Sequence, residues 1–394
     1  MRIAVISNWY FPFYGGAQTA IQGIHGHMLS NNEVTILTPL RDNSPLVEKM
    51  EGITVRRFRN VWAGPTKPYI KSDTFCPGMF WHLLKNNYDI FHCYPHLSPN
   101  TNLALYVHTL KGTPIYLTIF DFLNYTSYKL DHFPAPDLLD SFVQSKSRLR
   151  RFAFGKKLAS FNAVFSIAPT EREFISRFNR YAELMPLGIA PEDYDSAERG
   201  AFRKRYGLGG RPLVLACGRV TPHKGQDLAV EVAAHVVKKF PEAVFVLAGV
   251  IYDEAYYEQI VRRVGELKLE KNVLFTKAVT RAEITQAYVD CDLHLVPVRF
   301  MNSGLVILEG WAAGKALVQS DRVDPNLVQE GVNGITYPLS NIQAGAEAVC
   351  RLLHDEKLRA SMGAAGRKKV RDSYTWDKVA AFVTSTYAET LSRK

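Results

Sequence analysis

Short β-branched strands alternate with longer amphipathic segments along this chain, and the alternation stops and starts again near the middle. Arg2–Ser7, Glu33–Thr38, Ile53–Phe58, Asp89–Cys93, Pro114–Ile119 and Ala163–Ile167 read as strands, with helical patterns such as Ala17–Leu29 and Ser145–Leu158 between them. A helix between two strands lets them run in the same direction, so this pattern folds as a parallel sheet with helices on both faces. After Met185-Pro186-Leu187-Gly188 the pattern resumes. Leu213–Cys217, Ala243–Leu247, Val273–Thr276, Leu293–Val296 and Ala316–Gln319 are strands, and helices lie near Asp227–Lys239, Tyr256–Leu267 and Arg281–Val289. Pro186 and Gly188 punctuate a hinge. The expectation is an α/β chain of two Rossmann-like domains, 1–186 and 187–373. Their parallel sheets would face each other across an interdomain cleft at the carboxyl ends of the strands. The stretch Tyr374–Lys394 is amphipathic with no strand after it, and packs on the second domain or crosses back to the first.

A length of 394 residues fits two domains. Hydrophobic residues at 47% and charged residues at 22% are ordinary globular values and exclude a disordered chain. No apolar run approaches the roughly 20 residues that span a bilayer. The N-terminal MRIAVISNWYF reads as a first buried strand rather than a signal peptide. Cys76, Cys93, Cys217, Cys291 and Cys350 are scattered with no CxxC, which suggests free thiols in a reducing cytosol and no metal site. The net charge of +10 suits an anionic ligand such as a nucleotide diphosphate, a lipid surface or nucleic acid. No zinc finger or RNP motif is present, so nucleic acid ranks last.

Three motifs carry candidate chemistry. Tyr14-Gly15-Gly16-Ala17 follows the first strand and opens a helix, where glycine allows close backbone approach and free amides attract an anion. A tight turn without a ligand is the competing reading. Cys217-Gly218-Arg219-Val220-Thr221-Pro222-His223-Lys224-Gly225 follows the strand Leu213–Cys217. Arg219 and Lys224 emerge there at the carboxyl end of a strand beside a helix start, which suits a pyrophosphate. In a transfer reaction they would also stabilise charge growing on a departing diphosphate. The competing reading is a solvated basic loop, with His223 an ordinary surface histidine. In the third motif, Met301-Asn302-Ser303-Gly304-Leu305-Val306-Ile307-Leu308-Glu309, Gly304 precedes an apolar helix. Glu309 sits on that helix amid apolar neighbours and needs partners. A ribose diol offers two donors, and backbone groups would satisfy it equally.

Taken together, these motifs resemble glycosyltransferase family 4, of the GT-B fold. The resemblance covers nearly the whole chain and includes Asp292-Leu293 before Pro297 and Glu330-Gly331-Val332-Asn333-Gly334. It implies that Arg219 and Lys224 bind the diphosphate of a nucleotide-sugar donor and that Glu309 holds its ribose. It further implies that the backbone at Gly304, Leu305 and Val306 faces the donor and that Gly15 and Gly16 close over the phosphates. Retention at the anomeric carbon, no metal or other cofactor, and a final helix 374–394 crossing to the first domain are also implied.

Three positions depart from the family pattern. Met301 stands where the family has a first glutamate, Phe120-Asp121 stands in place of a histidine step, and Pro186-Leu187-Gly188-Ile189-Ala190 replaces Pro-Asn-Gly-Val-Asp. All three would line the sugar side, and Asp121 becomes the candidate polar group near acceptor or sugar. The expected function is transfer of a sugar from a UDP- or GDP-sugar to a glycan, lipid-linked or small-molecule acceptor in the cytoplasm. The rivals are a non-catalytic nucleotide-sugar-binding partner and, more weakly, an epimerase on the same fold. The stretch Lys146–Lys157 interleaves cations with Leu149, Phe152 and Phe154. It is a candidate peripheral contact with an anionic membrane at the inner face, with a solvated basic helix as its alternative.

Overall fold

The computed structural model describes residues 1–12, 15–41, 44–63, 74–94, 98–120, 148–277, 279–299, 304–323 and 327–392, the side chains of 148–153 apart. It divides into two compact units, Met1–Leu187 with Trp376–Lys394, and Gly188–Thr375.

In the first unit, β1 (Arg2–Ser7), β2 (Glu33–Pro39), β3 (Val47–Met50), β4 (Ile53–Phe58), β7 (Ile90–Tyr94), β8 (Ile115–Ile119), β9 (Ala163–Ser166) and β10 (Ala182–Leu184) form one sheet. Its order is β10-β9-β8-β7-β1-β2-β4-β3, and the two-residue strands β5 (Trp62–Ala63) and β6 (Thr74–Phe75) pair separately. The strands are parallel except β3, which runs antiparallel to β4 at the edge. Val47-Glu48-Lys49-Met50 alternates exposed and half-buried positions, a charged edge that resists pairing with another chain. That weak pattern is why β3 is hard to read from sequence, and β10, with three residues, is too short to show a period.

The two faces of this sheet differ. Ile6, Phe91, Cys93, Leu117 and Ile119 pack against Met79, Leu83, Ala104, Val107 and Leu158 in a wholly apolar layer. Alternate residues point the other way, and there the sheet presents His92, Tyr94, Tyr116 and Thr118. His92 Nδ1 lies 2.5 Å from the Tyr387 hydroxyl and Nε2 lies 2.7 Å from Thr118 Oγ1. His25, on the helix Gly16–Gly26, bonds the Tyr94 hydroxyl at 3.0 Å. Tyr387 comes from the helix Trp376–Ser392, which follows the second unit in sequence but belongs to the first in space. Its Trp376 ring occupies the room left by Gly23, where a Cβ would collide with the indole. A small residue in one helix thus admits the largest side chain of the other.

In the second unit, β11 (Leu213–Cys217), β12 (Val244–Ala248), β13 (Val273–Lys277), β14 (Leu293–Val296), β15 (Ala316–Ser320) and β16 (Gly334–Tyr337) are all parallel. The order β13-β12-β11-β14-β15-β16 reverses direction between β11 and β14. At such a reversal the flanking connections leave on opposite faces and open a crevice at the carboxyl ends of the two strands. Val214, Phe245, Leu247, Leu295 and Val318 form the core with Val230, Ala233, Ile260 and Val349 from the covering helices. The unit's two chain ends meet where Ile189 donates to the Tyr374 carbonyl at 2.8 Å and Asp195 pairs with Arg371 at 2.7 Å and with Arg367. Cys76, Cys93, Cys291 and Cys350 are buried free thiols, and Cys217 is a half-buried one. Among the described residues no helix is long and apolar enough to cross a membrane.

Candidate functional site

The crevice of the second unit begins where β11 ends at Cys217. The chain turns through Gly218, makes a 3-10 turn at Pro222–Lys224, and enters the helix Gln226–Val236 through Gly225. Gly225 has φ +69°, and a Cβ there would run into the Pro297 carbonyl oxygen, so the loop after β14 can lie directly on this turn. Arg299 fastens the two loops together. Its amide donates to the His223 carbonyl at 2.9 Å, and its guanidinium reaches the Pro222 carbonyl at 2.7 Å. The same guanidinium forms a fork with Asp227 at 2.8 and 2.6 Å, while the Tyr256 hydroxyl donates to Asp227 at 2.5 Å. Burial opposes ionisation of Asp227, but Arg299 and Tyr256 outweigh it and hold the carboxyl below its ordinary range. In the sequence Asp227 marks only a helix start and Arg299 stands in no motif; a lone acid there and a lone arginine 72 positions later carry no shared pattern.

With Arg299 committed to Asp227, the loop presents Arg219 and Lys224. Arg219 is exposed, its guanidinium 5.0 Å from the Tyr252 ring centre, and Lys224 is half-buried. His223 is not the surface residue expected of such a loop: it is buried, with Nδ1 3.1 Å from Thr221 Oγ1. Burial, with Lys224 and Arg219 close by, pushes its pKa down to about 3, so it is neutral at pH 7 and supplies no charge to a ligand.

The third motif meets the second here. Gly304 caps the helix Leu305–Ala312 in an extended conformation with no side-chain cap, so the Leu305 and Val306 amides have no acceptor within the helix. Glu309, one turn further in, is buried and paired with Arg281 of the helix Arg281–Asp290. Arg281 also donates to the Tyr194 hydroxyl at 3.1 Å. The expected alternatives for Glu309 were a ribose or backbone groups; in the structure its partner is a guanidinium. Among the described residues Arg281 is its single hydrogen-bond partner, through Oε1, which leaves Oε2 for a ligand. The Cys217 thiol is pushed up to about 12 by burial first and the Glu309 charge next, with Lys224 acting in the opposite sense. The end of β11, Lys224 and Glu309 therefore share one neighbourhood.

Gly15 and Gly16 lie in the first unit, exposed, at the start of the helix Gly16–Gly26. The approach to them is held by Arg57, which donates to the Phe11 carbonyl at 2.9 Å, and by Arg41, stacked 3.8 Å over the Trp9 ring. Phe120 stacks on Tyr94 at 5.6 Å. Asp121, Met301 and Lys146 fall outside the described residues, while Lys156 and Lys157 are exposed. No group of three or more histidine, cysteine or acidic side chains is placed to hold a metal among the described residues.

The chain is thus an α/β protein of two Rossmann-like units, the second with a basic loop, a helix start and a buried carboxylate at its switch point. The fold is GT-B. The structure aligns with Anabaena HepE in complex with UDP (TM-score 0.75, 17% identity, 99% of this chain and 100% of that one). It aligns equally with sucrose-phosphate synthase from Thermosynechococcus elongatus (TM-score 0.76, 20% identity, 100% of both chains). Residues 198–369 match the family model described as Glycosyl transferases group 1. Over 249 residues the chain is 30% identical to the GDP-mannose-dependent alpha-(1-6)-phosphatidylinositol monomannoside mannosyltransferase of Mycobacterium tuberculosis, covering 60% of this chain. The match spans about 63% of the length of that relative.

Proposed function

We propose that this chain transfers a sugar, with retention, from a UDP- or GDP-sugar to a glycan, lipid-linked or small-molecule acceptor in the cytoplasm. The observation that carries the proposal is the convergence of Arg219, Lys224, the Gly304–Val306 helix start and Glu309 at the switch point of the second sheet. The diphosphate would lie against Lys224, Arg219 and the free amides, which also meet the charge that develops on it as the glycosidic bond breaks. Those cations would take the part a metal ion plays elsewhere, so no metal is required. The ribose hydroxyls would donate to Glu309 Oε2 while Arg281 keeps Oε1 in place. Gly15 and Gly16 are assigned to phosphate closure, and Asp121 to the acceptor or sugar side. The relatives' names support a nucleotide-sugar donor: one is GDP-mannose-dependent, and HepE was solved with UDP.

The test is incubation of the pure protein with a panel of UDP-, GDP- and ADP-sugars, reading release of the nucleoside diphosphate. Slow hydrolysis of one donor, accelerated by an acceptor extract, is expected. Tight nucleotide binding with no turnover of any donor would make the chain a binding partner instead.

A further inference from the structure

Arg219, Arg281 and Arg299 stand at the site of the second unit, and two of them are committed to carboxylates: Arg281 to Glu309 and Arg299 to Asp227. Arg219 is held differently. Among the described residues no carboxylate pairs with its guanidinium, which lies instead over the ring of Tyr252, 5.0 Å from the ring centre. A ring and a carboxylate do different things to such a cation. A carboxylate takes two of its five N–H donors and cancels its charge. A ring face attracts the cation through its quadrupole, but adds no negative charge and no acceptor oxygen to compete for the N–H groups. An exposed arginine also samples many rotamers, and ordering it on a ligand is costly unless the protein has already narrowed them.

The backbone fixes the ring in place. Beyond the ends of β11 and β12 the two chains go on pairing: Gly218 donates to the Ala248 carbonyl and Val220 to the Val250 carbonyl, both at 2.9 Å. Tyr252 and Asp253 in turn donate to the Val220 carbonyl, each at 3.3 Å. Gly249, at φ +150°, allows this approach, because a Cβ there would collide with the Gly218 carbonyl oxygen. Asp253 then caps the helix Glu254–Glu266 by accepting from the Tyr256 amide at 2.9 Å. Tyr252 thus sits between a strand ladder and a capped helix, which leaves its backbone little freedom. The same helix start serves the other anchor, since the Tyr256 hydroxyl donates to Asp227, the partner of Arg299. One segment, Tyr252–Tyr256, sets both the pinned arginine and the presented one.

We propose that Tyr252 is a positioning residue, holding Arg219 toward the diphosphate of the donor without neutralising it. The inference rests on the proposed contact between Arg219 and that diphosphate. Tyr252 itself touches no reacting atom; it acts through the guanidinium that its ring supports.

The test is calorimetric titration of UDP and of GDP into the full chain as wild type, Arg219→Ala, Tyr252→Leu and the double variant. For the nucleotide that binds, Tyr252→Leu should lose roughly three- to tenfold in affinity, the range that a partly solvated contact between a ring and a guanidinium supports. Tyr252→Phe keeps the ring face and should restore most of that loss. In the Arg219→Ala background Tyr252→Leu should change affinity by less than about twofold, since the group it positions is gone. Tyr252 is half-buried, so melting temperature checks that each variant folds, and Tyr252→Gln, of similar reach and without a ring, gives a second comparison. A loss of equal size in both backgrounds would make Tyr252 a packing residue and overturn the proposal. So would wild-type affinity in Tyr252→Leu while Arg219→Ala binds more weakly, a result that leaves the diphosphate contact itself standing. Wild-type affinity in Arg219→Ala, or failure of both nucleotides to bind, would overturn the contact and the positioning together.

Discussion

Near the carboxyl ends of β11 and β14 the acidic side chains are held in ion pairs: buried Glu309 with Arg281, and partly exposed Asp227 with Arg299. At the corresponding reversal between β1 and β7 in the first unit, the buried polar groups His25, His92, Tyr94 and Tyr387 are neutral and bonded to one another. Burial drives this neutrality, pushing the His25 pKa down to about 3 and that of His92 well below its ordinary value, with His25 adding to the second shift. The two units thus use one topology for different ends. Paired charges are costly to desolvate and are weak evidence for stability, so their concentration at one switch point suits an anionic ligand. A neutral network gives direction to packing, and here it fastens the final helix to the first sheet.

The comparison breaks most visibly if the cations of the second unit can be removed without effect. Lys224→Ala and Arg219→Ala should each lower turnover by about a hundred- to a thousandfold, equivalent to roughly 3–4 kcal/mol at the transition state. Thermal melting should hardly change. Near-normal turnover in a folded variant would remove that residue from the mechanism.

Acid should act on the neutral network next. His25 and His92 have folded pKa values below the unfolded value of about 6.5, so their stabilising contribution is complete above that pH. It is lost as pH falls below about 6.5, at up to about 1.4 kcal/mol per pH unit for each group. His223 and His294 of the second unit carry the same sign. Urea titrations at pH 7 and pH 5 should show the loss, and the combined variant His25→Gln, His92→Gln should be less stable at pH 7 but less sensitive to acid. A pH dependence unaltered by that variant would contradict the assignment.

Asp227→Asn should destabilise the second unit by about 1–2 kcal/mol, since the pair is partly solvated and screening reduces its worth. The depressed carboxyl adds stability that is complete above the ordinary carboxylate pKa near about 4 and lost as pH falls through its lower folded value. The wild type should therefore lose this contribution only below about pH 4, later than the histidines. The smallest effect is assigned to Tyr387→Phe. It deletes the hydroxyl that meets His92 at the cost of about 1 kcal/mol and should lower the melting temperature without touching nucleotide affinity.

The sheets were legible in the sequence because buried parallel strands are rich in apolar residues: β1, β2, β11 and β14 draw most of their interior positions from Val, Ile, Leu and Ala. The short β10, the charged edge β3 and β16, with Gly334 at its start, lack that signal. The site was legible where motif residues are neighbours in sequence, as Arg219 and Lys224 are. It was not legible where the partner is remote. Arg281 stands 28 positions from Glu309, and Tyr194 stands 87 positions from Arg281 on a four-residue helix. Periodicity and spacing describe one element at a time, whereas a buried carboxylate's partner is chosen by the packing of three.

Whether a nucleoside diphosphate binds at the second unit's switch point is read by calorimetric titration of UDP and of GDP into the protein. The expected result is a single site for one of the two nucleotides, weakened by roughly tenfold or more in Lys224→Ala and in Glu309→Gln, since each removes a charge-assisted contact. Tyr387→Phe should bind as the wild type does. Failure of both nucleotides to bind, or an affinity that Lys224→Ala and Glu309→Gln both leave unchanged while folded, would contradict the account.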